Sequence, residues 1–163
     1  MFYGRKHLAA NPPNGFVPLF DRDGVLPGDG TWQRPSTPWW PAKVVDEFFY
    51  AIAQSPIVVG RGEVLLQQSS VLVLRQQLLA QLMYAENGYA PAGGLKRFRR
   101  FLTDEQVAEL LSMPPITDSS DELVACHRWL VQCFVPRARA LANRLGVEYP
   151  EALERSALRR AGF

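Results

Sequence analysis

The chain has 163 residues, of which 47% are hydrophobic and 21% are charged, and this composition indicates one ordinary globular domain. Its net charge of +2 lacks the basic excess of proteins that bind duplex nucleic acid. No apolar run reaches the ~20 residues of a membrane span, and the N-terminus lacks the apolar core of a signal peptide. We therefore expect a cytoplasmic protein with no nucleic-acid or membrane partner.

Residues 1–41 are expected to form a Pro-rich extended segment. Seven of the 13 prolines lie here. Proline fixes φ and removes a backbone donor, so neither a long helix nor a central strand can form. The only plausible strand covers residues 16–20, and Pro18 limits it to an edge position or a short extended piece.

From residue 42 onward the pattern predicts an all-α bundle of five or six helices. The first helix is expected to end before Pro56, and its apolar positions recur at helical spacing: Val44, Val45, Phe48, Phe49 and Ile52. A longer helix is expected from about Arg61 to Asn87, where Asn87-Gly88 supplies a stop signal. The buried face of that helix is expected to include Leu65, Leu72, Leu79 and Met83, with Val71, Leu74, Leu78 and Leu82 beside them.

The later helices are marked by N-terminal capping signals. Thr103, with Gln106 three residues on, predicts a helix that extends to about residue 113. Ser119, with Glu122, predicts a helix over residues 120–145, which Pro136 should kink. A last helix is expected over residues 150–160.

Two cysteines, Cys126 and Cys133, are seven residues apart and fall on one face of the penultimate helix. This spacing is typical of neither a disulfide framework nor a CxxC metal pair. We expect both to be small core residues in a reducing compartment.

A short motif at residues 20–25 (FDRDGV) resembles the nucleophile motif of haloacid-dehalogenase-type phosphatases. In that chemistry one Asp attacks phosphorus, a second protonates the leaving group, and Mg²⁺ bridges them. Here these would be Asp21 and Asp23. The alternating strands and helices of that fold do not follow, so the motif also fits a polar turn after a short extended segment.

Seven short segments have an order and spacing found in a known enzyme family. They are residues 19–24 (LFDRDG), 46–49 (DEFF), 60–63 (GRGE), 74–79 (LRQQLL), 94–96 (GLK), 101–105 (FLTDE) and 140–150 (ALANRLGVEYP). Together they resemble the C-terminal helical half of the aminoglycoside 6-adenylyltransferase (streptomycin adenylyltransferase) family of the nucleotidyltransferase superfamily. The resemblance covers about residues 16–160.

The resemblance implies a substrate-side helical domain of an antibiotic-resistance enzyme that transfers AMP from ATP to an aminoglycoside hydroxyl. Complete members have a palm domain with Gly-Ser and an Asp-x-Asp pair, which holds Mg²⁺ against the triphosphate. This sequence has no Gly-Ser followed by such a pair. We therefore expect no catalytic residue, metal or cofactor in the chain and no AMP transfer by it alone, with Mg²⁺ and ATP needed only beside a complete palm. Residues 1–41 would be a remnant of the link to the palm, and residues 42–163 the helical domain.

The resemblance also implies substrate-binding positions at Glu47, Arg61, Glu63 and Lys96, and Tyr50 is a further candidate because its ring could stack on the ligand. An aminoglycoside is a polycation, so its pocket needs carboxylates, often with aromatic faces. Simpler roles also fit these residues. Glu47 could be a solvated carboxylate in the first turn of a helix, and Glu63 could be a first-turn charge or an ion-pair partner of Arg61. Lys96 could belong to a solvated basic face. Tyr50 could stack on a ligand or pack against a palm domain.

Two further interpretations stay open. The chain could be a non-enzymatic helical interaction module that keeps only the bundle, or a Mg²⁺-dependent phosphatase that uses Asp21 and Asp23. Ten of the 18 aromatic residues lie within residues 1–50. If no palm covers them, an apolar surface remains, which predicts a homo-oligomer or a separate palm-domain partner.

Overall fold

A computed structural model describes residues 37–89, 99 and 101–163. Within these residues the chain forms five helices and no strand, which confirms the all-α prediction. The helices are α1 (Ala42–Gly60), α2 (residues 64–86), α3 (Asp104–Leu111), α4 (Ser120–Leu145) and α5 (Glu151–Ala161). The expected Pro-rich segment lies almost entirely outside the described residues, and its role as a link to a palm stays a prediction.

Helix α1 begins directly after Pro41, as expected, but it does not end before Pro56. Pro56 lies inside the helix, which continues to Gly60. A proline at this position removes the hydrogen bond that residue 56 would donate to the carbonyl of Ile52. The hydroxyl of Ser55 donates to that carbonyl at 2.8 Å. The vacated acceptor is therefore satisfied, and the helix continues for another turn.

Helix α2 contains a π-helical turn that the sequence pattern did not predict. Its α-helical parts, Val64–Val73 and Ala80–Glu86, are joined by a π-helix over Leu74–Leu79. A π turn adds a residue to the helical repeat and so rotates the buried face between the two parts.

This rotation overturns part of the predicted buried face of α2. Leu79 and Met83 are fully buried, as expected. Leu65 and Leu72 instead face solvent, with 80% and 39% of their surface exposed, because Gln67 and Val71 occupy the inward positions of the first part.

The ends of the helices follow the local sequence signals. Gly88, just past the end of α2, has φ +78°, a left-handed conformation that glycine adopts without steric cost. Thr103 forms the full capping box with Gln106: its side chain accepts from the Gln106 N–H at 3.2 Å, and its own N–H donates back to Gln106 Oε1 at 3.0 Å. Ser119 accepts from the Glu122 N–H at 3.4 Å. These predicted helix starts and stops are confirmed.

The core lies where α1, α2 and α4 meet, and α5 packs along α1. Phe48 of α1 stacks on Phe134 of α4 with ring centroids 3.7 Å apart, and Phe49 meets the same ring edge-on at 6.1 Å. All three rings are fully buried. Pro136 lies within α4 as expected, and the predicted kink there stays a prediction.

In the part of the chain that the structure describes, no helix combines the length and the apolar character required to cross a bilayer. The same residues contain no group of three or more His, Cys, Asp or Glu side chains placed to hold a metal ion. Both cysteines are free thiols. Cys126 is buried and Cys133 half-buried, as their predicted positions in α4 imply.

Candidate functional site

The Asp-Glu-Phe-Phe segment of helix α1 has two exposed and two buried side chains. Phe48 and Phe49 are fully buried, whereas Asp46 and Glu47 are exposed. The helical repeat separates adjacent pairs in this way because each residue advances about 100° around the axis. The two acidic side chains therefore lie on the outer side of a helix whose inner side is anchored by aromatic packing.

Tyr50 lies on the same outer side of α1. It follows Glu47 by three positions and Asp46 by four, the spacings at which side chains are neighbours on a helix. Its surface is 67% exposed. We call Asp46, Glu47 and Tyr50 the α1 acidic face. Two carboxylates beside an exposed aromatic ring are groups that attract a cationic sugar.

Within the described residues, the Glu47 carboxylate has one ion-pair partner, Lys43, one turn earlier on α1. The Lys43 Nζ lies 3.6 Å from Glu47 Oε1, and both side chains are largely in water. Exposed pairs of this kind contribute little to stability, since both charges stay solvated. A ligand ammonium group could therefore replace Lys43 at small cost.

Arg61 and Glu63 lie in the turn between α1 and α2, and both are exposed. Gly62 between them has φ +67°, and the Glu63 N–H donates to the carbonyl of Val58 at 3.3 Å. Gly60 follows Glu47 by thirteen residues, and this part of α1 spans about 20 Å at ~1.5 Å per residue. The structure therefore brings Glu47 and Tyr50 together and places Arg61 and Glu63 at the far end of α1.

Three other residues of interest, Lys96, Asp21 and Asp23, lie outside the described residues. The predicted roles of Lys96 in substrate binding and of Asp21 and Asp23 in phosphatase chemistry stay predictions.

A half-buried ion network that the sequence did not predict joins α2, α3 and α4. Arg137 of α4 donates from Nη1 to Glu86 at 2.8 Å, and from Nη2 to Glu109 of α3. Gln106 donates to Glu86 at 3.0 Å and accepts from Asn87 at 2.7 Å. Because Glu86 and Glu109 are 51 and 28 residues from Arg137, no local sequence signal could have revealed the network.

The pKa shifts of the groups in this network are typical of a structural ion pair. Burial raises the pKa of Glu86, although Arg137 partly counteracts it. Burial alone would lower the pKa of Arg137, but the bonded carboxylates raise it overall. Burial, with a contribution from Glu109, also raises the pKa of the adjacent Cys133 thiol to about 12. Cys133 is therefore a neutral thiol near pH 7 and a poor nucleophile.

The segment before α5 is anchored by Arg139, Tyr149 and Glu154. Arg139 binds the Glu154 carboxylate with two hydrogen bonds, at 3.0 and 2.6 Å, and its guanidinium lies 5.7 Å from the centre of the Tyr149 ring. The Tyr149 ring meets Trp40 edge-on at 6.3 Å. These contacts hold the chain between α4 and α5 and use the aromatic rings for packing.

His127 lies deep in the bundle, with 1% of its surface exposed. Neither ring nitrogen has a hydrogen-bond partner within the described part of the chain. Burial lowers the pKa of this imidazole to about 4, so the ring is neutral at pH 7. Among the described residues, no Ser, Cys or acidic side chain therefore hydrogen-bonds to this imidazole.

Comparisons with protein-family models, with curated proteins and with solved structures found no match. The candidate site consequently rests on the geometry of the α1 acidic face and of the Arg61–Glu63 turn.

Proposed function

We propose that the helical domain binds an aminoglycoside and corresponds to the substrate-side half of a nucleotidyltransferase, which does not transfer AMP by itself. One observation carries the proposal. Asp46, Glu47 and Tyr50 share the solvent-facing side of α1, while the two phenylalanines of the same segment fix that helix in the core. Glu47, the acidic position of this helix that the family resemblance implies, is therefore available to a ligand, and Asp46 adds a second carboxylate beside it.

The chemistry of this face fits a polycationic sugar. Ammonium or guanidinium groups of the ligand would bind the Asp46 and Glu47 carboxylates, and a sugar ring would pack on Tyr50. The face is open to water, which screens each contact. We therefore expect millimolar or somewhat tighter affinity, with a marked loss in high salt.

The test is titration of the full chain with streptomycin in low-salt buffer by isothermal calorimetry. Glu47→Gln removes one charge with little change in shape, and we expect it to weaken binding about fivefold, which corresponds to roughly 1 kcal/mol. Glu122→Gln is the matched control, because Glu122 is an exposed acid at the start of α4. Glu63→Gln reports whether a ligand also reaches the turn after α1.

A second candidate function is a non-enzymatic interaction module. Four apolar side chains on the outer side of α2 support it: Leu65, Leu66, Leu72 and Val73. An exposed apolar patch of this kind is typical of a protein-binding surface. Calorimetry separates the two functions, since the interaction module predicts no streptomycin binding that depends on Glu47.

A further inference from the structure

The outer side of the first part of α2 is an apolar surface on a regular helix. Leu65 and Leu66 are 80% and 53% exposed, and Leu72 and Val73 are 39% and 37% exposed. Between Glu63 and Arg75 the sequence contains no charged residue. We call these four side chains, with Ser69 between them, the α2 apolar face.

The α2 apolar face has an internal symmetry about Ser69. Leu65 and Leu66 precede Ser69 by four and three residues, and Leu72 and Val73 follow it by three and four. Residues at these spacings lie on the same side of a helix, one turn away in each direction. The centre is a small exposed serine, which allows another helix to approach closely.

A surface with this symmetry is complementary to a second copy of itself. In a two-fold dimer the same patch is used on both subunits, so that residue i contacts j and residue j contacts i. If two α2 helices pair antiparallel across Ser69, Leu66 lies at the height of Leu72 of the partner subunit, because each is three residues from Ser69. Leu65 then lies at the height of Val73 of the partner subunit, because each is four residues from Ser69.

The charges at the ends of the face favour the antiparallel arrangement. Glu63 and Arg75 are each six residues from Ser69, on opposite sides. Antiparallel pairing brings Glu63 of one copy to the level of Arg75 of the other. Parallel pairing would instead place like charges at the same level, which is unfavourable.

We propose that the α2 apolar face is a homodimer interface in which two α2 helices pair antiparallel about Ser69. The face spans only about three helical turns, which is small beside the ~800 Å² per partner of a stable complex. The dimer therefore forms at high protein concentration and dissociates on dilution.

The first test measures mass by light scattering or sedimentation over a concentration series, from low micromolar to millimolar. The wild-type chain should shift from monomer to dimer across the series. Leu66→Glu and Leu72→Arg should each remain monomeric, because each buries an unpaired charge against a leucine of the partner. Leu111→Glu is the matched control, since Leu111 on α3 is 78% exposed and lies outside the face. It should dimerise like the wild type.

The decisive test mixes the two monomeric variants. In an antiparallel pair, the new Glu at 66 of one copy meets the new Arg at 72 of the other, and the unchanged Leu72 and Leu66 meet each other. The mixture should therefore regain dimer, detectable by fluorescence transfer between differently labelled variants. In a parallel pair, each new charge would face a leucine, and no dimer would return.

Three results would overturn the proposal. The wild type could stay monomeric at millimolar concentration, which would leave the face to another partner such as a palm domain. Leu66→Glu could dimerise as well as the wild type, which would place the interface elsewhere. The mixture could fail to form a dimer although both variants keep the wild-type circular dichroism spectrum, which would exclude the antiparallel pairing.

Discussion

The buried imidazole of His127 predicts that the domain loses stability in mild acid. Burial lowers the pKa of the folded-state ring from 6.5 to about 4, whereas the unfolded chain keeps the ordinary value. The unfolded state therefore binds the proton more tightly. The free energy of unfolding is unaffected by His127 above the unfolded-state pKa of 6.5, and it decreases progressively as the pH falls toward 4.

The magnitude follows from the width of this pH window. Each unit between the folded and unfolded pKa corresponds to ~1.4 kcal/mol, so the full effect is about 3 kcal/mol below both values. A pH of about 5 lies roughly 1.5 units below the unfolded-state pKa, so the free energy of unfolding has fallen by about 2 kcal/mol. For a domain of ordinary stability, 5–15 kcal/mol, this is a large fraction.

The assay is urea unfolding followed by circular dichroism, at about pH 7.5 and about pH 5, with His127→Leu as the comparison. Leucine at this buried position removes a polar ring that has no hydrogen-bond partner among the described residues, so the variant should be at least as stable near neutral pH. Other titrating groups are common to both proteins and cancel in the difference. The wild type should lose about 2 kcal/mol more than His127→Leu between the two pH values. Equal losses in both proteins would refute the assignment of a neutral, unpartnered His127.

Two further predictions concern the contacts that join the helices. Arg137→Met leaves the half-buried carboxylates of Glu86 and Glu109 without their cation, and we expect it to destabilise the domain by about 3 kcal/mol in urea unfolding. Adding Glu86→Gln should recover part of that loss, and no recovery would contradict a network held by charge pairing. Thr103→Ala removes the side-chain half of the capping box and should cost about 1 kcal/mol in the same assay, whereas Thr103→Ser should cost much less.

The helix positions could be predicted because their signals are local. The Thr103 capping box and the left-handed Gly88 are set by residues within one turn of the helix end, so they act regardless of the rest of the fold. The inner face of α1 was predictable for a related reason. Phe48 and Phe49 repeat at helical spacing with the other apolar residues, and burial of that stripe is the main source of helix stability in proteins.

The features that sequence analysis missed depend on contacts between distant segments. The π turn in α2 has no signature in its leucine-rich sequence. It lies at the point where the buried face of the first part of the helix differs from that of the second part. Pro56 predicts a helix end, but the Ser55 hydroxyl donates to the Ile52 carbonyl that Pro56 leaves without a donor, and the helix continues. Arg137 meets its two carboxylates only after α2, α3 and α4 have packed.

The candidate site was predictable only in part. The sequence identified Glu47 and Tyr50, and the helical repeat of α1 places them side by side with Asp46. It did not reveal that Arg61 and Glu63 lie about 20 Å from Glu47, past the end of α1, because the order of the similar segments does not give the distances between them.

The most direct test of the proposed function is calorimetric titration of the full chain with streptomycin, beside Glu47→Gln and Glu122→Gln. Our account predicts saturable binding of millimolar or better affinity, weakened about fivefold by Glu47→Gln and unchanged by Glu122→Gln. Absence of binding, or equal affinity in all three proteins, would contradict the assignment of the α1 acidic face as an aminoglycoside site.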